Sequence, residues 1–591
     1  MIKMNTYRRG SGWETNWPQK ADTTTWTYHE ASGLVTAKKD SAGKSVVYTY
    51  SSGGKLASRT WSRTNGTNAL LTTYSYNDAG DLTEIDYCDA TPDVSFTYDR
   101  LGRQKTAASS VSAHEFAYVG LLLDTETIVS PSGTNIIYRS YDGYGRSIGF
   151  DLSDASYAVQ YAYDSFGRFS SVTSTLASLA SFAGYSYLPN SDLISGLTVA
   201  GGSAPGLSVT RSYEENRNLL TQVKNELDST LLSQYDYSND AGSRRESVKN
   251  TGLAFETGPA FNLYEYNSRN EVVVGDRFWG ADTNNTEAPV LGQSFAYAYD
   301  LIGNRTAASR DNEEMSYTAN TLNQYTQRTV GDLIDVLGSA ETGTTVTVNN
   351  QAVSRYEKYW HCGIGVTNSS AAVWQEINVV GVYNPPGTND PDIVTSETGH
   401  VFVAKTPETF TYDNDGNLLK DGRFNYTWDC ENRLISAETL TNLPASVPRV
   451  RVEFEYDYMS RRISKTVGRR TGGGLWQLMG ETSFLYDGWN VVSEICDDQS
   501  QITTNFYVWG LDLSGSLQGA GGIGGLLAAQ LGTNSVFYTY DGNGNVSELI
   551  NTLDGTIAAH YEYSPFGEVL VATGELAGDN PFQFSTKYFD S

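Results

Sequence analysis

The sequence predicts an all-β protein made of repeated antiparallel hairpins, and three observations carry that reading. A six-residue turn motif, Tyr-Asp-x-x-Gly followed by Arg or Asn, recurs along the 591 residues. Its copies keep a regular spacing: Tyr76 to Tyr98 and Tyr141 to Tyr163 each span 22 residues, the length of two short strands and two turns. The composition suits a pleated surface, with 40 Tyr and 57 Gly against 15 Pro and 5 Met, and no long stretch has the period of an amphipathic helix.

Six full copies stand in the chain: Tyr98-Asp99-Arg100-Leu101-Gly102-Arg103, Tyr141-Asp142-Gly143-Tyr144-Gly145-Arg146, Tyr163-Asp164-Ser165-Phe166-Gly167-Arg168, Tyr299-Asp300-Leu301-Ile302-Gly303-Asn304, Tyr412-Asp413-Asn414-Asp415-Gly416-Asn417 and Tyr540-Asp541-Gly542-Asn543-Gly544-Asn545. Worn copies begin at Tyr50, Tyr76 and Tyr563. Before each Asp the residues alternate, as in Ser95-Phe96-Thr97-Tyr98, so two rings fall on one face of a strand and small polar groups on the other. The Asp accepts from backbone amides just ahead, and the Gly supplies a positive φ, so the chain reverses within about four residues. A second strand follows, for example Asn545-Val546-Ser547-Glu548-Leu549-Ile550. These residues are read as structural turn positions. The Gly is expected to matter more than the Asp, which is credited with one turn hydrogen bond.

Residues 1–330 are assigned to the repeat array, 331–405 to an insertion and 406–591 to the array's continuation. Within the insertion, Thr344 to Val353 alternates strictly around Asn349-Asn350, a tight-hairpin signal. Val373 to Val380 and His400 to Val403 read as further strands, with the loop Asn384 to Asp392 on the surface. The insertion is therefore expected to be a small β-sandwich, similar to Ig-like modules found beside bacterial carbohydrate enzymes, acting as a spacer. A second break, Gly519 to Leu527, is rich in glycine but lacks the Lys-Ser/Thr of a phosphate loop and is too short to span a bilayer. It is expected to pack closely, as a plug threading the wall.

Charge excludes several functions. There are 41 basic and 68 acidic residues, net −27, with no basic stripe, so nucleic acid and anionic membrane surfaces are disfavoured partners. Cys88, Cys362, Cys430 and Cys496 lie far apart with no C-x-x-C pair, which argues against a zinc site or a disulfide framework. No apolar run is long enough to span a membrane, and the residues from Met1 to Gly10 lack a signal-peptide core. The five histidines show no metalloprotease spacing, and His361-Cys362 are strand neighbours whose side chains point to opposite faces. Asp413 to Asn417 places its Gly too early for a calcium loop and reads as a turn. No catalytic, cofactor or metal residue is assigned, and the chain is expected to be non-enzymatic.

The motif in many copies resembles the RHS/YD-repeat family of bacteria. Tyr538 to Val546, Tyr563 to Glu568 and Asn580 to Asp590 resemble that family's RHS-associated core, placed at about 480–591. The resemblance implies hairpins wound into a large spiralling hollow shell. In the family's polymorphic toxins the shell holds a C-terminal toxic domain, often released by self-cleavage. The chain stops at Asp590-Ser591, ahead of the family's self-cleaving aspartate motif and toxin, so both are expected to lie outside this sequence. The implied partner is that missing C-terminal toxin or cargo polypeptide. The implied location is secreted or cell-surface for the full-length parent. The competing expectation is an adhesin that binds glycan or a surface protein through exposed aromatic residues. An apolar content of 39%, tyrosine included, also predicts that a single curved sheet cannot fill its own interior.

Overall fold

A computed structural model describes residues 2–6, 21–153, 157–176, 181–201, 206–311, 313–385, 387 and 391–590. Among these the secondary structure is almost wholly strand, with one short 3-10 turn at Phe584–Thr586 and no α-helix. A first sheet of 28 strands runs from Lys3–Thr6 to Glu408–Thr409, and a second sheet of 14 runs from Thr411–Tyr412 to Val569–Thr573. In both, each strand pairs antiparallel with the next one in the chain. Such a meander follows from the repeat itself, because each turn delivers the next strand to the edge left by the last and so covers it.

The first sheet continues across the insertion: Gln327 pairs with Thr409 and Arg328 with Glu408. The Tyr412 hydroxyl donates to the Tyr325 carbonyl at 2.9 Å and carries the second sheet on from the first. Between them, the strands Leu333–Ser339, Ser354–Tyr356 and Tyr359–Gly365 form a three-stranded sheet. The strands Thr344–Val348, Gln351–Ala352, Val373–Tyr383 and Ile393–Val403 form a four-stranded one. Val346, Val348, Trp360, Cys362, Ile364 and Ile377 make a core of their own. Asn349 and Asn350 both have positive φ, 48° and 62°, and close a two-residue hairpin in which Val348 faces Gln351. Of the predicted surface loop, Pro386, Thr388, Asn389 and Asp390 lie outside the described residues.

Two regimes of burial divide the molecule. Along much of the wall the pattern is exposed residue against half-buried residue, as in Val94–Tyr98, Glu313–Ala319 and Val450–Tyr456. The exposed face carries small polar side chains joined across strands, such as Thr97 with Thr106 and Thr49 with Ser58, both at 2.6 Å. The other face carries rings that are only partly covered. The accessible surface is 29393 Å², about 40% more than the ~20,500 Å² that size scaling gives for a compact protein of this mass. A sheet wetted on both sides produces that excess, and the fold is an extended wall of antiparallel strands rather than a filled globule.

The second regime is a seam where the wall returns on itself. Phe150, Tyr157, Tyr161 and Val172 of the first sheet share one core with Tyr507, Leu526, Phe537, Leu549 and Tyr561 of the second. Tyr157 donates to the Tyr507 carbonyl at 2.6 Å, and Tyr507 is fully buried. Apolar residues are concentrated here: all of Val546–Ile550 is buried, as are Leu526 to Ala529, so both faces of these strands are covered. The overall apolar fraction therefore describes the wall but understates the seam. The glycine-rich stretch packs closely against its neighbours. It is the long loop of a hairpin joining the paired strands Ile502–Trp509 and Leu526–Leu531, and Gly522 lies against Asn490 and Trp509.

Candidate functional site: turn ladder and sheet seam

The six predicted turns share one geometry. Each Asp Oδ1 accepts from the amides two and four residues ahead at 2.8–3.0 Å. Each Oδ2 accepts from the sixth residue, the Nε of Arg103, Arg146 or Arg168 or the Nδ2 of Asn304, Asn417 or Asn545, at 2.6–2.8 Å. Gly102, Gly145, Gly167, Gly303, Gly416 and Gly544 have φ between 74° and 98°. The Asp thus makes three or more bonds where the sequence was read as giving one. The Arg103 guanidinium holds the Asp99 carboxyl below the usual carboxylate range. At Asp541, burial pushes the carboxyl up instead.

The tyrosine explains the spacing. Tyr98 donates to the Leu82 carbonyl at 2.7 Å, Tyr163 to Ser147, Tyr299 to Val272 and Tyr412 to Tyr325, each at 2.9 Å. The acceptors of Tyr98, Tyr163 and Tyr299 lie just past the preceding turn. Tyr540 bonds the Leu526 carbonyl in the same sense. Forward links come from the arginines: Arg103 covers the Tyr118 ring at 4.3 Å, Arg146 that of Tyr163 at 4.1 Å and Arg168 that of Tyr187 at 4.3 Å. The turn at Tyr163 is thus bonded on both sides, back to Ser147 through its hydroxyl and forward to Tyr187 through Arg168.

Three further copies lack the motif's Gly, and those at Asp240 and Asp429 follow Asn239 and Trp428 in place of its Tyr. Asp240 with Arg244, Asp429 with Arg433 and Asp457 with Arg461 repeat the bonds at 2.6–2.7 Å. Ser243, Asn432 and Ser460 take the positive φ, at 65°, 59° and 65°. The Asp-x-x-x-Arg spacing was the signal that could have found them.

The seam carries buried charge. Glu548 is fully buried and accepts from Thr539 Oγ1 at 2.5 Å, Ser233 Oγ at 2.7 Å and Ser547 Oγ at 2.9 Å, with His560 Nδ1 at 3.2 Å. His560 Nε2 lies 3.5 Å from Glu562, which forms an ion pair with Arg277 of the first sheet. Burial opposes a charge on His560, but its bonds to Glu548 and Glu562 prevail and raise its pKa to about 9. Burial likewise opposes ionisation of Glu562, yet Arg277 and His560 bring its carboxyl down to about 2. A second cluster joins Glu126 to His114 at 3.1 Å and to Arg139 at 2.9 Å, and Arg139 pairs in turn with Asp487 of the second sheet. Both clusters tie one sheet to the other.

Asp311, Asp335 and His361 bring their ligand atoms within 4.8 Å of one another, a grouping the sequence did not disclose. Asp335 already holds His361 at 2.7 Å and Arg310 at 3.2 Å, and Asp311 accepts from the amides of Gly292 and Ser294.

No protein-family model matches the chain. The tRNA3(Ser)-specific nuclease WapA of Bacillus spizizenii is 27% identical over 186 residues, 31% of this chain and 7% of that protein. The tRNA nuclease WapA of Bacillus subtilis is 25% identical over the same length, so the chain spans 7% of the curated relatives it matches. Among solved structures, TcdB2-TccC3 without its hypervariable C-terminal region aligns at 12% identity and a TM-score of 0.43, covering 96% of this chain and 29% of that one. TcdB2-TccC3 itself gives 12%, 0.44, 96% and 30%. The Tc holotoxin pore of Photorhabdus luminescens gives 13%, 0.42, 97% and 28%.

Proposed function

We propose that the chain is a non-enzymatic β-shell scaffold of the RHS/YD-repeat kind that encapsulates or presents a C-terminal toxin or effector polypeptide, in a parent that is secreted or displayed at the cell surface. The observation that carries the reading is the wall itself: a meander wetted on both faces, with 29393 Å² of surface, closed by a buried seam. A container needs an inner surface that does not collapse, and the repeats supply one by bonding to each other rather than to a filled core. The partial similarity to WapA nucleases is in keeping with a toxin-bearing parent; their action on tRNA is theirs.

Solution scattering and protection test the proposal together. The shell should give a radius of gyration well above the ~25 Å of a compact chain of this length. A reporter polypeptide fused after Asp590 should resist protease while the same reporter alone is digested. A compact radius, or a fused reporter digested as fast as the free one, would overturn the container reading. One observation favours the adhesin as second reading: Tyr144 and Phe166, at the tips of two repeat turns, are 89% and 83% exposed. Glycan-array binding that disappears in a Tyr144→Ala, Phe166→Ala double variant would support it.

A further inference from the structure

The two small sheets between Leu333 and Val403 share one core, with Val346 and Ile377 from one and Ile364 and Trp360 from the other, and they are unequal. One has four strands and the other three. The register shows which strand is left uncovered. Val379 stands opposite Glu397 and Ile377 opposite Gly399, and residues directly opposite share a face. The core side of Ile393–Val403 therefore carries Ile393, Thr395, Glu397, Gly399 and Val401. All five are exposed, Ile393 by 56% and Val401 by 39%. From the other sheet Leu333–Ser339 borders the same space as an edge strand, paired only with Tyr359–Gly365. Alternate amides and carbonyls along it point away from that partner.

A groove of about 1240 Å³ lies in this space, lined by Val336 and Gly338 on one side, Glu397 and Val401 on the other, and by the core residues Ile377 and Trp360. It exceeds the usual small-molecule site, roughly 300–1,000 Å³. A chain entering beside Leu333–Ser339 would take the place of a fourth strand, with a free backbone edge to pair with and apolar side chains to cover. Those are the requirements of strand addition. Edge strands are commonly guarded by Lys or Pro, and neither residue occurs in Leu333–Ser339 or Ile393–Val403.

Charge selects the occupant. No Lys or Arg lines the groove, and its carboxylates are those of Asp335, Glu341 and Glu397. Asp335 is held by His361 and Arg310, and Glu341 by Lys358 at 2.6 Å. Among the described residues Glu397 has no ion pair, although it faces the core side at the middle of its strand. An inward-facing carboxylate turns away an uncharged strand and admits a basic one. A second copy offering the same strand would bring a second Glu397 into the groove, so the charge argues for a different chain. We propose that this groove takes up an extended segment of a different polypeptide as an added strand beside Leu333–Ser339, apolar toward the core and with a Lys or Arg over Glu397. The inference does not depend on the container reading.

The test uses the full chain and the fluorescence anisotropy of a labelled nine-residue peptide in which valine and serine alternate and lysine replaces the central valine. It should bind saturably with a Kd of about 100 µM or tighter. The same peptide with glutamate at its centre should bind at least about fivefold more weakly, and Glu397→Lys should reverse that preference. The melting temperature should hold in this variant, since Glu397 is exposed. Only alternate amides of an added strand face its neighbour, so N-methylation of one set, the serines or the valines, should abolish binding while the other is tolerated. The absence of saturable binding, equal affinity for the lysine and glutamate peptides, binding untouched by either methylation, or dimerisation of the chain that the peptide displaces would overturn the proposal.

Discussion

Raising the pH should open the seam, and His560 sets where. Its pKa is 6.5 in an unfolded chain and about 9 here, between Glu548 and Glu562. A raised pKa contributes stability that is complete below pH 6.5 and lost as the pH climbs through about 9. At about 1.4 kcal/mol per pH unit, that interval is worth about 3 kcal/mol. Glu562 works in the opposite sense: brought down from 4.5 to about 2, it stabilises above pH 4.5 and loses that contribution as the pH falls through about 2. The seam should therefore be most stable between about pH 4.5 and 6.5. A repeat array opens in parts, so the measurement must be local. Hydrogen exchange of peptides covering Val546–Asn551 and Ile557–Tyr563, corrected for intrinsic rates, reports it. Between pH 6 and pH 10 the opening constant should rise roughly a hundredfold. In His560→Gln the seam should start weaker and lose most of that dependence. An equally steep profile in the variant, or a flat one in the natural protein, would refute the reasoning.

Three other outcomes follow from the same geometry. Asp457→Ala removes a carboxylate that accepts from Met459 and Arg461 amides and from Arg461 Nε, and leaves Arg461, 4% exposed, without its charge partner. It should cost about 3–5 kcal/mol in urea unfolding, and its midpoint should fall further than that of Asp164→Ala at an exposed turn. Gly149→Ala should be worse than Gly102→Ala. A Cβ at Gly149 would sit 2.0 Å from the Val159 carbonyl oxygen, whereas one at Gly102 meets nothing within 4 Å, so only the strain of a positive φ, about 1 kcal/mol, applies there. Tyr157→Phe deletes the bond to the Tyr507 carbonyl and should lower stability by about 1 kcal/mol without shifting the strand content seen by circular dichroism.

The hairpins were legible because their information is local. An Asp, a Gly and alternating rings within ten residues determine a turn and the strand before it, and Asn349-Asn350 did the same for the insertion. What the motif hid is the part that depends on neighbours. The tyrosine's role is a bond across to another repeat, 16 residues back for Tyr98, and nothing near Tyr98 names Leu82 as its acceptor. The full motif also hides the copies at Asp240, Asp429 and Asp457, where Ser or Asn takes the positive φ and, at the first two, Asn239 or Trp428 stands for the Tyr.

The seam was invisible for a different reason. Its contacts join residues more than 300 positions apart, as between Tyr157 and Tyr507 or Ser233 and Glu548, and no local period encodes such a pairing. Only an indirect sign exists. Where a strand of the wall alternates ring with small polar residue, Leu526-Leu527-Ala528-Ala529 does not, and a strand with apolar residues on both faces must be covered on both. Read that way, the loss of alternation after Trp509 marks where the wall meets a second layer. The buried carboxylate of Glu548, which no isolated hairpin could shelter, then marks which residues face the other sheet. The turns make the wall, and the departures from their pattern show where it closes.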